Sequence, residues 1–189
     1  MNTLIVIAPC LLSPFIVYRG PKEKEYRTAS TLMELFGKYH YLKILAYPCP
    51  EFLLLGFPRA PASKEVYEKL GMREYAKRVA EFIAKSIEEE QPSRVIFIGV
   101  KGSPTCGVFH TTSSDSEKYP YERIEEFKKL PREERFKIAE EIAKDFKLVK
   151  GDGILFEILK AKVEGIYLEI DKDNLEKSLS KLDNLLKNP

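Results

Sequence analysis

Four short apolar runs set the strongest limit on what this chain can fold into: Leu4-Ile-Val-Ile-Ala8, Leu42-Lys-Ile-Leu-Ala46, Val95-Ile-Phe-Ile-Gly-Val100 and Ile166-Tyr-Leu-Glu-Ile170. They are strand-length and rich in β-branched residues. The first and third show no polar alternation, the pattern of strands covered on both faces, as in a parallel sheet. Helical patterns lie between them. Thr31 to Tyr39 reads as one helix, and a longer one is carried by Ala76, Val79, Ala80, Ile83 and Ile87, whose spacing of three and four lines one face. Phe136, Ala139, Ile142, Ala143 and Phe146 repeat that spacing, as do Ile154, Leu155, Ile158 and Leu159. Asp173 with Glu176 reads as a capping box for a last helix whose buried stripe is Leu175, Leu179, Leu182 and Leu186. Alternating strands and helices predict an α/β class: a three-layer Rossmann-like fold with a mostly parallel sheet.

A chain of 189 residues, 44% hydrophobic, suffices for one domain. The expected organisation is a single domain over 1–189, interrupted by an inserted loop and helix at about 108–150. From Phe109 to Glu125 the sequence is polar and aperiodic, as in a long surface loop or lid. The formal charge of +2 gives no bulk attraction to nucleic acid or to an anionic membrane. No apolar run approaches the ~20 residues of a membrane span, and Met1-Asn2-Thr3 lacks the basic start of a secretory signal, so the expected address is cytoplasmic. Oligomeric state is not readable.

Three cysteines, an odd number spread over the chain, make no disulfide framework. Each follows an apolar run: Cys10 the first, Cys49 the second, Cys106 the third. In a parallel sheet these positions share the C-terminal strand edge, where α/β proteins place ligand sites. A lone cysteine is more often a small buried apolar side chain than a ligand, but that reading predicts scatter, and these three occupy corresponding loops. Three thiolates fit two chemistries. With a fourth ligand such as His110 they close a tetrahedral zinc site, and without one they hold a cubane cluster with one iron left open. The absence of paired C-x-x-C spacing favours the cluster and does not exclude zinc.

Polar candidates flank the same loops. Glu51 stands two residues after Cys49 and Ser103 three before Cys106; their bland readings are a surface carboxylate or helix cap and a turn hydrogen bond. Arg19, Arg59 and Lys101 also flank these loops and could meet an anionic group, although each taken singly reads as a solvated surface charge. His40 ends a helical pattern, where a cation is favourable, and His110 lies in the polar stretch. Tyr18 and Phe15, near Cys10, are placed to stack on a flat heterocycle. Gly99-Val-Lys-Gly-Ser-Pro follows a strand, but neither G-x-G-x-x-G nor a Walker pattern is present, so phosphate binding by backbone amides is not supported.

Cys10-Leu11-Leu12, Cys49-Pro50-Glu51, Gly56-Phe57-Pro58-Arg59 and, most specifically, Gly102-Ser103-Pro104-Thr105-Cys106-Gly107, together with Gly153 to Glu169, resemble the thiouracil desulfurase-like proteins. The resemblance runs along nearly the whole chain except from Phe109 to about Lys150. It implies that Cys10, Cys49 and Cys106 bind a [4Fe–4S] cluster and that Glu51 and Ser103 are the catalytic groups beside it. The implied reaction is non-redox replacement of the sulfur of a 2-thiouracil-like heterocycle by oxygen, with sulfide released and the open iron acting as Lewis acid. The chain departs from the family at Ser13-Pro14 and Tyr18-Arg19-Gly20, where a glycine and an Arg-Tyr-Asp-Gly stretch are common, and in a longer loop after Gly107. The competing reading is a zinc- or cluster-containing binding or sensor module without catalysis.

Overall fold

The computed structural model describes residues 2–188. A four-stranded parallel sheet is built from β1 (Thr3–Ile7), β2 (Leu42–Ala46), β3 (Arg94–Val100) and β6 (Ile166–Ile170), in the spatial order β2-β1-β3-β6. The predicted strands are these four, and their burial explains their patterns. Central β1 is buried throughout and β3 nearly so, whereas edge strand β2 exposes Lys43, Ile44 and Ala46. The helices form two groups. α1 (Glu23–Gly37) packs with α8 (Leu175–Lys187), while α4 (Met72–Glu90) packs with α2 (Pro50–Leu55), α3 (Lys64–Lys69) and α7 (Ile154–Lys162). The result is the expected three-layer, Rossmann-like α/β arrangement, with Ile5, Ile7, Phe97, Met72, Ile83 and Phe156 among its fully buried side chains.

Three local expectations need correction. α1 starts at Glu23, well before Thr31, because its first turns turn Glu25, Thr28 and Ala29 inward, residues without an apolar signature; His40 lies beyond its end. Asp173 does not cap α8: its carboxylate accepts from Lys24 Nζ at 3.1 Å, and the N-cap is Asn174 without a side-chain bond. The stretch read as an aperiodic loop contains β4 (His110–Ser113), which pairs antiparallel with β5 (Lys147–Lys150). Between them lie α5 (Arg123–Lys129) and α6 (Arg132–Ala143). Among the described residues no helix is long and apolar enough to cross a membrane.

The strand order fixes where a ligand can enter. From β1 the chain moves outward to β2, then returns to the other side of β1 to form β3, so the order reverses between β1 and β3. Crevices open at the carboxyl ends of strands at such a reversal. The strand ends are level there, with Ile7 opposite both Ala46 and Ile98, and Val100 opposite Ile170.

Candidate functional site

Each cysteine leaves the sheet at this edge by a short rigid device. Cys10 sits in a 3-10 turn (Pro9–Leu11) directly after β1, and Cys49 is the N-cap of α2, whose first residue is Pro50. Cys106 ends a tight loop after β3 in which its carbonyl accepts from Val100 N–H at 2.8 Å and its own N–H donates to Ser103 Oγ at 2.9 Å. Gly107 is obligatory in that loop: a Cβ there would collide with the His110 carbonyl and reach 2.7 Å from that of Ser103.

All three cysteines are free and line one cavity of about 550 Å³, together with Glu51, Ser103, Thr105, Arg59 and Tyr67. The sequence-predicted residues Arg19, Lys101 and Tyr18 line it as well; Phe15 does not and is largely exposed. Arg19 and Arg59 are buried, so the surface-charge reading of both is replaced. Burial pushes all three thiols upward. For Cys10 the strongest opposing influence is Lys172, Cys49 rises to about 12 with Glu51 adding to the effect, and Cys106 rises well above its ordinary value with the other two cysteines contributing. Tyr47 O–H donates to Cys106 Sγ at 3.3 Å, and Arg59 Nη2 lies 3.9 Å from Cys49 Sγ.

Glu51 is held by a converging set of donors. Arg59 reaches Oε2 through Nη2 at 2.9 Å and Nε at 3.3 Å, Tyr67 O–H approaches the same oxygen at 3.4 Å, and Thr105 O–H donates to Oε1 at 2.6 Å. A hydroxyl has one proton, and the short bond commits that of Thr105 to Glu51. Ser103 Oγ lies 3.5 Å from Thr105 Oγ1 and accepts from the Cys106 and Thr105 amides, which leaves its own proton available. The turn role foreseen for Ser103 is therefore present, on the cavity wall.

His110 is placed differently. Its Nδ1 lies 2.8 Å from Glu169 Oε1, and it is not among the residues lining the cavity. Glu169 Oε2 also accepts from the Val108, Phe109 and His110 amides at 2.9, 2.7 and 2.9 Å, clamping the chain just beyond Cys106 to β6. Among the described residues no three His, Cys, Asp or Glu side chains group closely enough to hold one metal ion.

Sequence reasoning missed Tyr47, Tyr67, Thr105 and Lys172. Only Thr105 carried a signal, as part of Gly102-Ser-Pro-Thr-Cys-Gly107; the others arrive by tertiary convergence.

Fold and site together define a parallel α/β protein with a three-thiol cavity at its topological switch point. The chain belongs to the family described as "Putative 2-thiouracil desulfurase", which matches residues 1–188. A segment of 80 residues, 41% of this chain, is 35% identical to "Uncharacterized protein MJ0003" of Methanocaldococcus jannaschii, and covers 51% of that protein. The match thus spans about half the length of that relative. No solved structure matches the chain.

Proposed function

We propose that the protein is a non-redox desulfurase that replaces the sulfur of a 2-thiouracil-like heterocycle by oxygen, with water as co-substrate and hydrogen sulfide as co-product. The observation that carries this reading is the meeting of three free thiols with Glu51, Thr105 and Ser103 in one cavity, in a chain of the desulfurase family.

Cys10, Cys49 and Cys106 would hold a [4Fe–4S] cluster; three free, soft thiol donors on the wall of one cavity fit that group. When bound, the cluster supplies an iron without a protein ligand, a soft Lewis acid for a thiocarbonyl sulfur. Glu51 is the general base that takes a proton from the attacking water, and Thr105 keeps Oε1 oriented while Arg59 and Tyr67 fix Oε2. The hydroxyls of Ser103 and Thr105 form a line toward Glu51, at 3.5 and 2.6 Å, along which a proton can be returned to the departing sulfur. Tyr18 and the apolar side chains of Ala62 and Leu148 offer surface for a flat ring. The zinc-module alternative is less well supported, because His110 is engaged by Glu169 outside the cavity lining.

The test is to incubate oxygen-free, cluster-reconstituted protein with 2-thiouracil and assay sulfide and uracil. Stoichiometric formation of both, lost in Cys49→Ala, is expected; intact 2-thiouracil with a full cluster would contradict the reading.

A further inference from the structure

Three strands deliver cysteines to the cavity, and the fourth delivers a cation. Lys172 follows β6 by two residues at the same sheet edge, and its side chain, only 14% exposed, lines the cysteine cavity. Other lysines and arginines there have close partners: Arg59 with Glu51 at 2.9 Å, Lys101 with Asp171 at 2.8 Å and Lys24 with Asp173 at 3.1 Å. Lys172 has none at that range among the described residues. The carboxylate nearest to it among the described residues, Glu25 Oε1, is 3.8 Å away and already meets Arg19 Nη2 at 3.4 Å, while Glu25 Oε2 is taken by the Lys22 amide at 2.8 Å. Lys172 Nζ makes no hydrogen bond among the described residues. An ammonium whose one ion-pair contact is a long, shared approach to Glu25 keeps donors to spare at the cavity wall, where a ligand acceptor can meet them.

Resting on the desulfurase reading, we propose that Lys172 is a substrate-binding residue that selects the anionic form of a thioamide heterocycle, one whose ring N–H can ionise, by donating to a ring nitrogen or oxygen that carries the charge. A neutral ring of the same shape answers the ammonium less well, because charge-assisted bonds are roughly twice as strong as neutral ones. Lys172 thereby sets specificity between ionisable thioamides and N-alkylated ones. Its place on the wall of the cysteine cavity holds the selected anion in the same space as the thiols.

The test compares 2-thiouracil with 1,3-dimethyl-2-thiouracil, which has no N–H to lose, as ligands of the full chain before and after cluster reconstitution. Binding is read from the ligand's own ultraviolet difference spectrum, which needs no turnover. Wild type is expected to favour 2-thiouracil, Lys172→Met to weaken it ~10-fold or more while leaving the dimethyl ligand unchanged, and Lys172→Arg to recover most of the preference. Unchanged affinity in Lys172→Met, equal weakening of both ligands, or no preference in wild type would overturn the proposal. Should Lys172→Met not fold, wild-type Lys172 should still be protected by 2-thiouracil from an amine-acylating reagent, and lack of protection would overturn it. Absence of sulfide release from the loaded protein, with the binding pattern intact, would instead count against the desulfurase reading alone.

Discussion

A carboxylate that moves protons, the role proposed for Glu51, must be held still yet stay open to the cavity, and Glu51 is gripped by Arg59, Thr105 and Tyr67 with its side chain 12% exposed on the cavity wall. Glu51→Gln keeps the shape and removes the base, so cluster content should be unchanged while turnover falls ~10²-fold or more, measured as sulfide release under saturating substrate. Thr105→Val removes the 2.6 Å bond to Oε1, and with it the same hydroxyl's 3.6 Å approach to Cys106 Sγ, while keeping all three thiols; kcat should fall ~10-fold or more with KM and cluster content little changed, since a misdirected base affects the chemical step. Arg59→Ala acts on stability as well. Its side chain is 3% exposed, and removing it leaves the partly buried Glu51 carboxylate without its cation, which should cost up to about 3 kcal/mol in a urea titration. The placing of the cysteines and Glu51 at one sheet edge was legible in the sequence because each follows an apolar run within six residues. Thr105 was marked only by its place in the Gly102–Gly107 motif, and Tyr47, Tyr67 and Lys172 were not marked at all, since a side chain's partner across the sheet edge leaves no local periodicity; Arg59 looked like a surface charge until the loop carrying it folded inward.

The Cys106 loop is shaped by its neighbours as much as by its own residues. A Cβ on Gly99 of β3 would collide with the Cys106 carbonyl, so Gly99→Ala should displace the loop and lower cluster loading even though alanine suits a strand better. Glu169 on β6 clamps the following segment through three amides, and its side chain is 7% exposed. Glu169→Ala should accelerate hydrogen exchange at Val108, Phe109 and His110 by ~10-fold or more while the β1 amides stay protected. Unchanged exchange there would mean that the clamp contributes nothing. The four sheet strands were readable because two central ones carry continuous apolar runs, whereas β4 and β5 were not. His110-Thr-Thr-Ser and Lys147-Leu-Val-Lys are short, mostly polar, and pair only with each other, so no core face imprints alternation on them. The segment between them adds to the cavity wall, where Ala143 at the end of α6 and Phe146 just beyond it join Thr112 of β4 and Leu148 of β5.

At the scale of the molecule, the reversal of strand order between β1 and β3 brings together residues almost a hundred positions apart in the chain, Cys10 and Cys106, with Cys49 delivered from the neighbouring edge strand. The near-neutral balance of charge, 31 basic against 29 acidic residues, leaves recognition to this cavity rather than to a long-range field. The central claim is that the cavity is built to carry an iron–sulfur cluster on three thiolates. Its most direct test is iron, acid-labile sulfide and zinc per chain, on protein purified or reconstituted without oxygen. The account predicts about four irons and four sulfides, lost on replacing any one of Cys10, Cys49 or Cys106. One zinc with no sulfide would contradict it.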